Sequence, residues 1–472
     1  MASYSNFDQM DSILNARSLA IVGASGKRMK FGSLHTIAQL TYGFAGGIYL
    51  INPNETEIMG LPAYPSIASL PEIPDVVYIT IPAHLSLDVL KECGQAGVKG
   101  VIMLASGFRE AGEQGRQLEE EALELARRGG FRIIGPNCFG IYNPRNGLTL
   151  LPGHDFSKQA GGFAFISQSG GFSAQVGRLC KSSNIDFSAI VSYGNGADID
   201  ESDLLLYFAE DPQTRIIGAY LEGVKDGGRF LQALKHAASR KPVLLWKVGK
   251  SDSSRRAVAS HTGSLAGYAK IWQGVLRQAG AIEVSGVDEL CDTVLALELL
   301  GRNPGKRLML VGGGGGLGTY AADLAEAEGL QVPALDELAL ERARLILSQP
   351  GGAVGNPMDI AAPIVPLPLF DSVMREAAGY GNCDILIFDM ALNFAYGIAG
   401  EEGLEKASDI LIHIRKEVAK PMVIVLYSRA DGYEDLPLEA VLRRQREKLL
   451  RGGIAVYPSM ARAIKAISLA NK

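Results

Sequence analysis

The stretch LAIVGASG, residues 19 to 26, is an apolar run closed by a glycine cluster, and a helical pattern, FGSLHTIAQL, follows it. The same grammar returns in FAFISQSGG (163 to 171) and LMLVGGGGGLG (308 to 318). Each reads as a strand, a tight glycine turn and a helix start, the arrangement in which free backbone N–H groups point at an anion. Three such starts predict three α/β domains.

The runs GGIYLIN, DVVYITIP, VKGVIMLAS and FRIIGPN, and later FSAIVSYGN, IIGAYLEG and PVLLWKVG, recur at the spacing that helical crossovers need. They are almost continuously apolar, as in parallel strands covered on both faces. Turn formers concentrate in YNPRNGLTLLPGHD (142 to 155) and LGRNPGKR (300 to 307). The expected domains are therefore 1–147, 155–300 and 305–472, in keeping with what 472 residues can form.

Composition narrows the function classes. A net charge of −5 offers no broad basic field for nucleic acid. The N-terminus lacks the basic and apolar regions of a signal peptide, and no window of 18 residues is apolar, so a soluble protein without a membrane partner is expected. Five cysteines, Cys93, Cys138, Cys180, Cys291 and Cys383, lie far apart without a CxxC pair. That pattern suits neither a disulfide framework nor a zinc cluster, so no metal site is expected and a reducing cytoplasm is the simplest compartment.

The first turn, GASGKRMKFG (23 to 32), carries Lys27, Arg28 and Lys30. That cationic density suits a ligand with more phosphate than NAD, such as coenzyme A, although a solvated basic loop would look the same. An NAD site has an acid at the end of its second strand, whereas here that strand ends Asn52-Pro53-Asn54. Cys138, at an apolar strand end, reads as a packed residue before a nucleophile.

Of six histidines, His35, His84, His154, His236 and His413 read as surface or packing residues. His261, in VASHTGSLAG (258 to 267), is surrounded by small and hydroxylated neighbours that leave its ring unshielded. Such a ring can accept and pass on a phosphoryl group, and an inert loop histidine is the competing interpretation. Glu222, in AYLEGVKD, ends an apolar strand, and Ser169, Gly170 and Gly171 open a helix at its positive end.

The runs INPNETEIMGLPAYPSIASLPEIPDVVYITIPA (51 to 83), LASGFREAGEQGRQLEEEALELARRGGFRIIGPNCFGIYNP (104 to 144), SHTGSLAG (260 to 267) and GNPMDIAA (355 to 362) resemble the NDP-forming acyl-CoA synthetases. That family includes the ADP-forming acetate–CoA ligases and, more distantly, the α subunit of succinyl-CoA synthetase. The resemblance implies three doubly wound domains: a Rossmann-like CoA-binding domain, then two flavodoxin-like domains of the succinyl-CoA synthetase type. It implies a coenzyme turn of Gly23, Ser25, Lys27, Lys30 and Gly32. Asn52, Pro53, Ile81, Pro82, Ala105 and Ser106 would line the nucleotide and pantetheine path, with Asn137 and Cys138 near the thiol end. His261 would be the phosphohistidine, Glu222 its orienting acid, and Ser169 to Gly171 one of two helix N-termini facing the phosphoryl group. Gly314, Gly315 and Gly316 would supply the other, although five consecutive glycines depart from the family's asparagine-alanine-glycine-glycine-proline-glycine type of turn.

The implied reaction interconverts acyl-CoA, ADP and inorganic phosphate with a small carboxylic acid, coenzyme A and ATP. The chain ends at AIKAISLANK, with the third domain using up the last residues, so ATP, ADP and magnesium are expected on a separate ATP-grasp β subunit in an α2β2 assembly. Two alternatives stay open: a CoA-binding sensor or scaffold without turnover, and an NAD-dependent oxidoreductase.

Overall fold

Leu19 and Ile21 point to one face of a sheet and Ala20 and Val22 to the other, all buried, because the run at 19 to 22 is covered on both sides. In the computed structural model this run is the centre of the first of three sheets. The residues described are 5–27, 30–150, 156–254, 256, 269–347, 352–361, 366–427 and 432–472. The chain divides into two compact units, Met1–Val287 and Asp288–Lys472.

The first sheet contains β1 (Ser18–Val22), β2 (Gly47–Ile51), β3 (Glu57–Ile58), β4 (Leu61–Tyr64), β5 (Val76–Ile79), β6 (Gly100–Met103) and β7 (Arg132–Ile134), in the order β3-β4-β2-β1-β5-β6-β7. All but the edge strand β3 are parallel. The chain leaves β1 toward β2 and returns across it to β5, so the strand order reverses between β1 and β5.

The second sheet contains β8 (Gly140–Asn143), β9 (Leu148–Thr149), β10 (Ala160–Ser167), β11 (Phe187–Ser192), β12 (Ile216–Leu221), β13 (Val243–Lys247) and β14 (Ile282–Glu283). Its order is β14-β13-β12-β10-β11-β8-β9, with the reversal between β10 and β12. β8 lies within the expected first domain, 1–147, and β9 in the expected boundary stretch, yet β8 pairs antiparallel with β11 through Ile141↔Val191 and Tyr142↔Ile190. One continuous core joins Leu19, Ile21, Tyr78 and Ile102 of the first sheet to Ile166, Val191, Ile217 and Leu245 of the second. Both sheets thus belong to the first unit.

The second unit is built on β15 (Leu308–Gly312), β16 (Met358–Asp359), β17 (Ile385–Asp389), β18 (Met422–Val425) and β19 (Ala455–Tyr457), all parallel, in the order β16-β15-β17-β18-β19. From Asp288 onward, the helix Val287–Leu299 belongs here as well. Arg462 bridges its Asp292 at 2.5 and 2.9 Å, and the Tyr457 hydroxyl donates to the Asp292 carbonyl at 3.1 Å. The architecture is α/β, with three mainly parallel sheets, the first of them Rossmann-like. No helix among the described residues is long and apolar enough to cross a membrane.

Candidate functional site

Open α/β sheets bind ligands at the carboxyl ends of strands where the strand order reverses. The three glycine turns fall at the three reversals: after β1, after β10 and after β15.

At the first, Gly23 turns the chain with φ +87°, and the helix Phe31–Tyr42 begins eight residues later. A Cβ on Gly32 would lie 2.3 Å from the Gly23 carbonyl, so the turn and the helix start touch only because both are glycine. The Ser33 hydroxyl ties the helix start to the turn, reaching the Ser25 carbonyl at 2.5 Å and that of Lys27 at 2.7 Å. A cleft of about 790 Å³ opens here, lined by Gly23, Ser25, Lys30, Gly32, Asn52, Pro53, Ile81 and Pro82. Lys27 does not line it, nor do Ala105, Ser106, Asn137 or Cys138.

Those last four sit at the ends of β6 and β7, further along the same sheet edge. Asn137, at φ 58°, donates its main-chain N–H to the Ala105 carbonyl at 3.0 Å and its amide to Asn195 Oδ1 at 3.5 Å. Cys138 turns its thiol into the core toward the Met103 carbonyl at 3.5 Å, and burial pushes that thiol up to about 12. It is a packed residue, and of the expected pair only Asn137 keeps its side chain partly accessible.

The loop after β7 meets the second reversal. Phe139 lies over the start of the helix Gly170–Ser182, where a Cβ on Gly170 would come 2.8 Å from its ring. The Ser169 hydroxyl caps that helix, accepting from Phe172 N–H at 3.4 Å. Beside it, at the end of β12, Glu222 is 6% exposed. Gln168 ties the two strand ends together: its Oε1 accepts from the N–H groups of Glu222 at 2.5 Å and Gly223 at 3.1 Å, and its Nε2 donates to the Gly223 carbonyl at 3.1 Å. Lys247, at the end of β13, donates to the Glu222 carbonyl at 2.8 Å. His261 and the rest of SHTGSLAG lie outside the described residues.

At the third reversal, Gly314 (φ +130°) precedes the helix Gly315–Ala327. Asp359, ending β16, accepts from Gly314 N–H at 2.9 Å. Asp389, ending β17, is buried, and that burial raises its carboxyl above the usual range. Both carboxylates line the cavity of about 230 Å³ in front of this turn. The Gly314 donor is therefore already taken by an internal anion.

Two domain families match the chain: a CoA binding domain over residues 17–144 and a succinyl-CoA ligase like flavodoxin domain over residues 160–297. The α subunit of acetate–CoA ligase [ADP-forming] I from Pyrococcus furiosus is 34% identical across 97% of this chain and 96% of its own length. The α subunit of ligase II from the same organism is 38% identical across 95% and 94%. The chain belongs to the ADP-forming acetate–CoA ligase family. Its fold is also that of a solved acetyl-coenzyme A synthetase 1 from Ca. Korarchaeum cryptofilum, in complex with phosphate and ADP, with a TM-score of 0.83 and 32% identity over 98% of this chain and 96% of the other.

As a member of the ADP-forming acetate–CoA ligase family the protein is an acid–thiol ligase, and membership decides between coenzyme A and a nicotinamide dinucleotide in favour of coenzyme A. The fit is physical too, since the first cleft combines a glycine turn, Ser25 and Lys30 with the apolar Ile81 and Pro82.

Gln168, Lys247 and Asn195 were not among the expected site residues. Asn195 donates to Glu110 at 2.6 Å and to Glu119 at 3.2 Å, holding the loop after β11 against the loop and helix after β6. Only Lys247 carried a local signal, as a lone lysine inside the apolar run PVLLWKVG.

Proposed function

We propose that this chain is the catalytic α subunit of an NDP-forming acyl-CoA synthetase, with His261 as its phosphohistidine. The supporting observation is the contact of Phe139 with Gly170. It seats the loop that follows the coenzyme sheet on the helix N-terminus that would cradle a phosphoryl group. Thiol end and phosphoryl cradle then share one place in the first unit.

In the proposed cycle a phosphate oxygen attacks the thioester carbonyl of acyl-CoA, the C–S bond breaks, and coenzyme A leaves with a proton. A ring nitrogen of His261 then attacks the phosphorus of the acyl phosphate, and the P–O bond breaks to release the carboxylate. Phospho-His261 finally gives its phosphoryl group to ADP. Glu222 orients the imidazole and favours its charged form, while N–H groups of Gly170 and Gly171 and the Ser169 hydroxyl hold the phosphoryl oxygens. Gly314 to Gly316 form the second cradle once Asp359 yields Gly314 N–H. Gly23, Ser25, Lys30, Gly32, Asn52, Pro53, Ile81 and Pro82 hold the nucleotide of coenzyme A. Ala105, Ser106 and Asn137 follow its pantetheine arm.

The P. furiosus relatives are α subunits by name, which supports a separate β subunit here. We assign that subunit the ATP-grasp site with ATP or ADP and magnesium, in an α2β2 assembly in the cytoplasm. The three domains, 1–147, 155–300 and 305–472, take the coenzyme, the phosphohistidine and the second cradle.

Labelled ATP and the matched β subunit test this. The chain is expected to take up label in an acid-labile, base-stable linkage, and His261→Ala to take up none. Label persisting in that variant would remove His261 from the mechanism.

A further inference from the structure

The first turn already holds an anion of its own. Glu55, in the loop after β2, places Oε1 3.4 Å from the Ser25 hydroxyl and Oε2 3.4 Å from the Gly26 N–H, and both groups donate to it. Its position is built. Asn52 donates its amide to the Ala24 carbonyl at 2.8 Å and to Glu55 Oε1 at 3.1 Å, and its own Oδ1 accepts from Asn54 N–H at 2.9 Å. One asparagine thereby folds the loop after β2 back over the turn and aims the carboxylate at it.

A phosphate arriving at this turn needs those same donors and brings a second negative charge beside the first. Glu55 must swing out, or the phosphate must bind beside its carboxylate in the cleft that Ser25 and Lys30 line.

We propose that Glu55 is an affinity-setting residue of the coenzyme cleft, a carboxylate that occupies the phosphate donors of the turn and is displaced by the phosphate of coenzyme A. The proposal rests on placing a coenzyme phosphate at this turn. Glu55 lowers the affinity for the phosphorylated ligand while keeping the turn in shape when the cleft is empty. Glutamine at this position keeps an oxygen acceptor for Ser25 or Gly26 and removes the charge.

Calorimetric titration of the full chain with coenzyme A and with dephospho-coenzyme A, at low and high salt, tests it. Glu55→Gln is expected to bind coenzyme A about 3- to 10-fold more tightly, the scale of one partly exposed charge contact, with the gain shrinking as salt rises. A gain confined to coenzyme A assigns the 3′-phosphate to the turn, and an equal gain for both ligands assigns the pyrophosphate; either supports the proposal. Unchanged or weaker binding by a Glu55→Gln protein that melts as the wild type does overturns it. Glu55→Ala, lacking any acceptor, is the second variant and is expected to bind coenzyme A at least as tightly as the wild type. The underlying placement has its own arm: Lys30→Gln is expected to weaken coenzyme A binding, and an unchanged affinity there refutes the phosphate position itself.

Discussion

The ammonium of Lys247 donates to the main-chain carbonyl of Glu222 across 2.8 Å, so two neighbouring strand ends of the second sheet are pinned by one buried charge. The same group also donates to the Val248 carbonyl and stands 5.1 Å from the centre of the Trp272 ring. Replacing it with methionine keeps the apolar stem but strands two carbonyls. Lys247→Met is expected to lose about 1 to 3 kcal/mol in denaturant unfolding, the usual cost of an unsatisfied buried acceptor.

A pH signature separates that effect from a packing defect. Burial, reinforced by Lys250 and opposed by Glu222, pushes Lys247 down from 10.5 to about 8. Between those values the unfolded chain holds a proton that the folded chain has released, so stability gains with rising pH in this window. Wild-type stability relative to Lys247→Met should therefore climb from pH 8 to pH 10.5, as read from paired unfolding curves.

His35 works in the acid range. Its ring is fully buried, Nε2 lies 3.1 Å from the Tyr78 hydroxyl, and burial, partly offset by a backbone hydrogen bond with Leu150, pushes it from 6.5 down to about 4. The folded state favours the neutral ring. Its contribution is complete above pH 6.5 and falls away as pH drops toward 4. In His35→Leu, the loss of melting temperature between pH 7 and pH 4.5 should be smaller than in the wild type.

Gly32→Ala tests the coenzyme turn. The added methyl would sit 2.3 Å from the Gly23 carbonyl, and backbone cannot yield as a side chain does. The variant should lose about 1 to 3 kcal/mol of stability and bind coenzyme A more than about 10-fold more weakly. Gly26→Ala is the control, because its methyl meets only the Glu55 carboxylate, at 3.4 Å, and should leave the fold intact.

Gly170→Ala tests the proposed phosphoryl cradle apart from coenzyme binding. Its methyl would press on the Phe139 ring at 2.8 Å, and the ring or the helix start must shift. Phosphorylation of the chain should slow by about 10- to 100-fold, as expected for a displacement of order 1 Å in a positioned site. The affinity for coenzyme A in the first cleft should stay within about twofold, since binding contacts remote from a change are largely independent of it.

The three turns were legible because their signal is local: an apolar run, a glycine and a helix start stand side by side in sequence. Gly23 with its positive φ and Gly32 with no room for a Cβ explain why glycine recurs there. Gln168 was not legible, because its importance lies in the N–H groups of residues 222 and 223, more than fifty positions away. Asn195 is similar, since its partners Glu110 and Glu119 come from the loop and helix that follow β6, more than seventy positions away. The hairpin β8–β9 reads as a boundary loop until β11 supplies its partner, and the helix from Asp288 changes unit because Tyr457 and Arg462 hold it.

The core shared by the first two sheets turns coenzyme binding into a property of the whole first unit. A ligand held at the end of β1 stabilises everything that must unfold together with β1, by mass action. The chain has two tryptophans, Trp246 and Trp272, and both lie in the second-sheet region, remote in sequence from the cleft at Gly23. Their fluorescence should nonetheless melt later when coenzyme A is added, making the second sheet an intrinsic reporter of occupancy at the first.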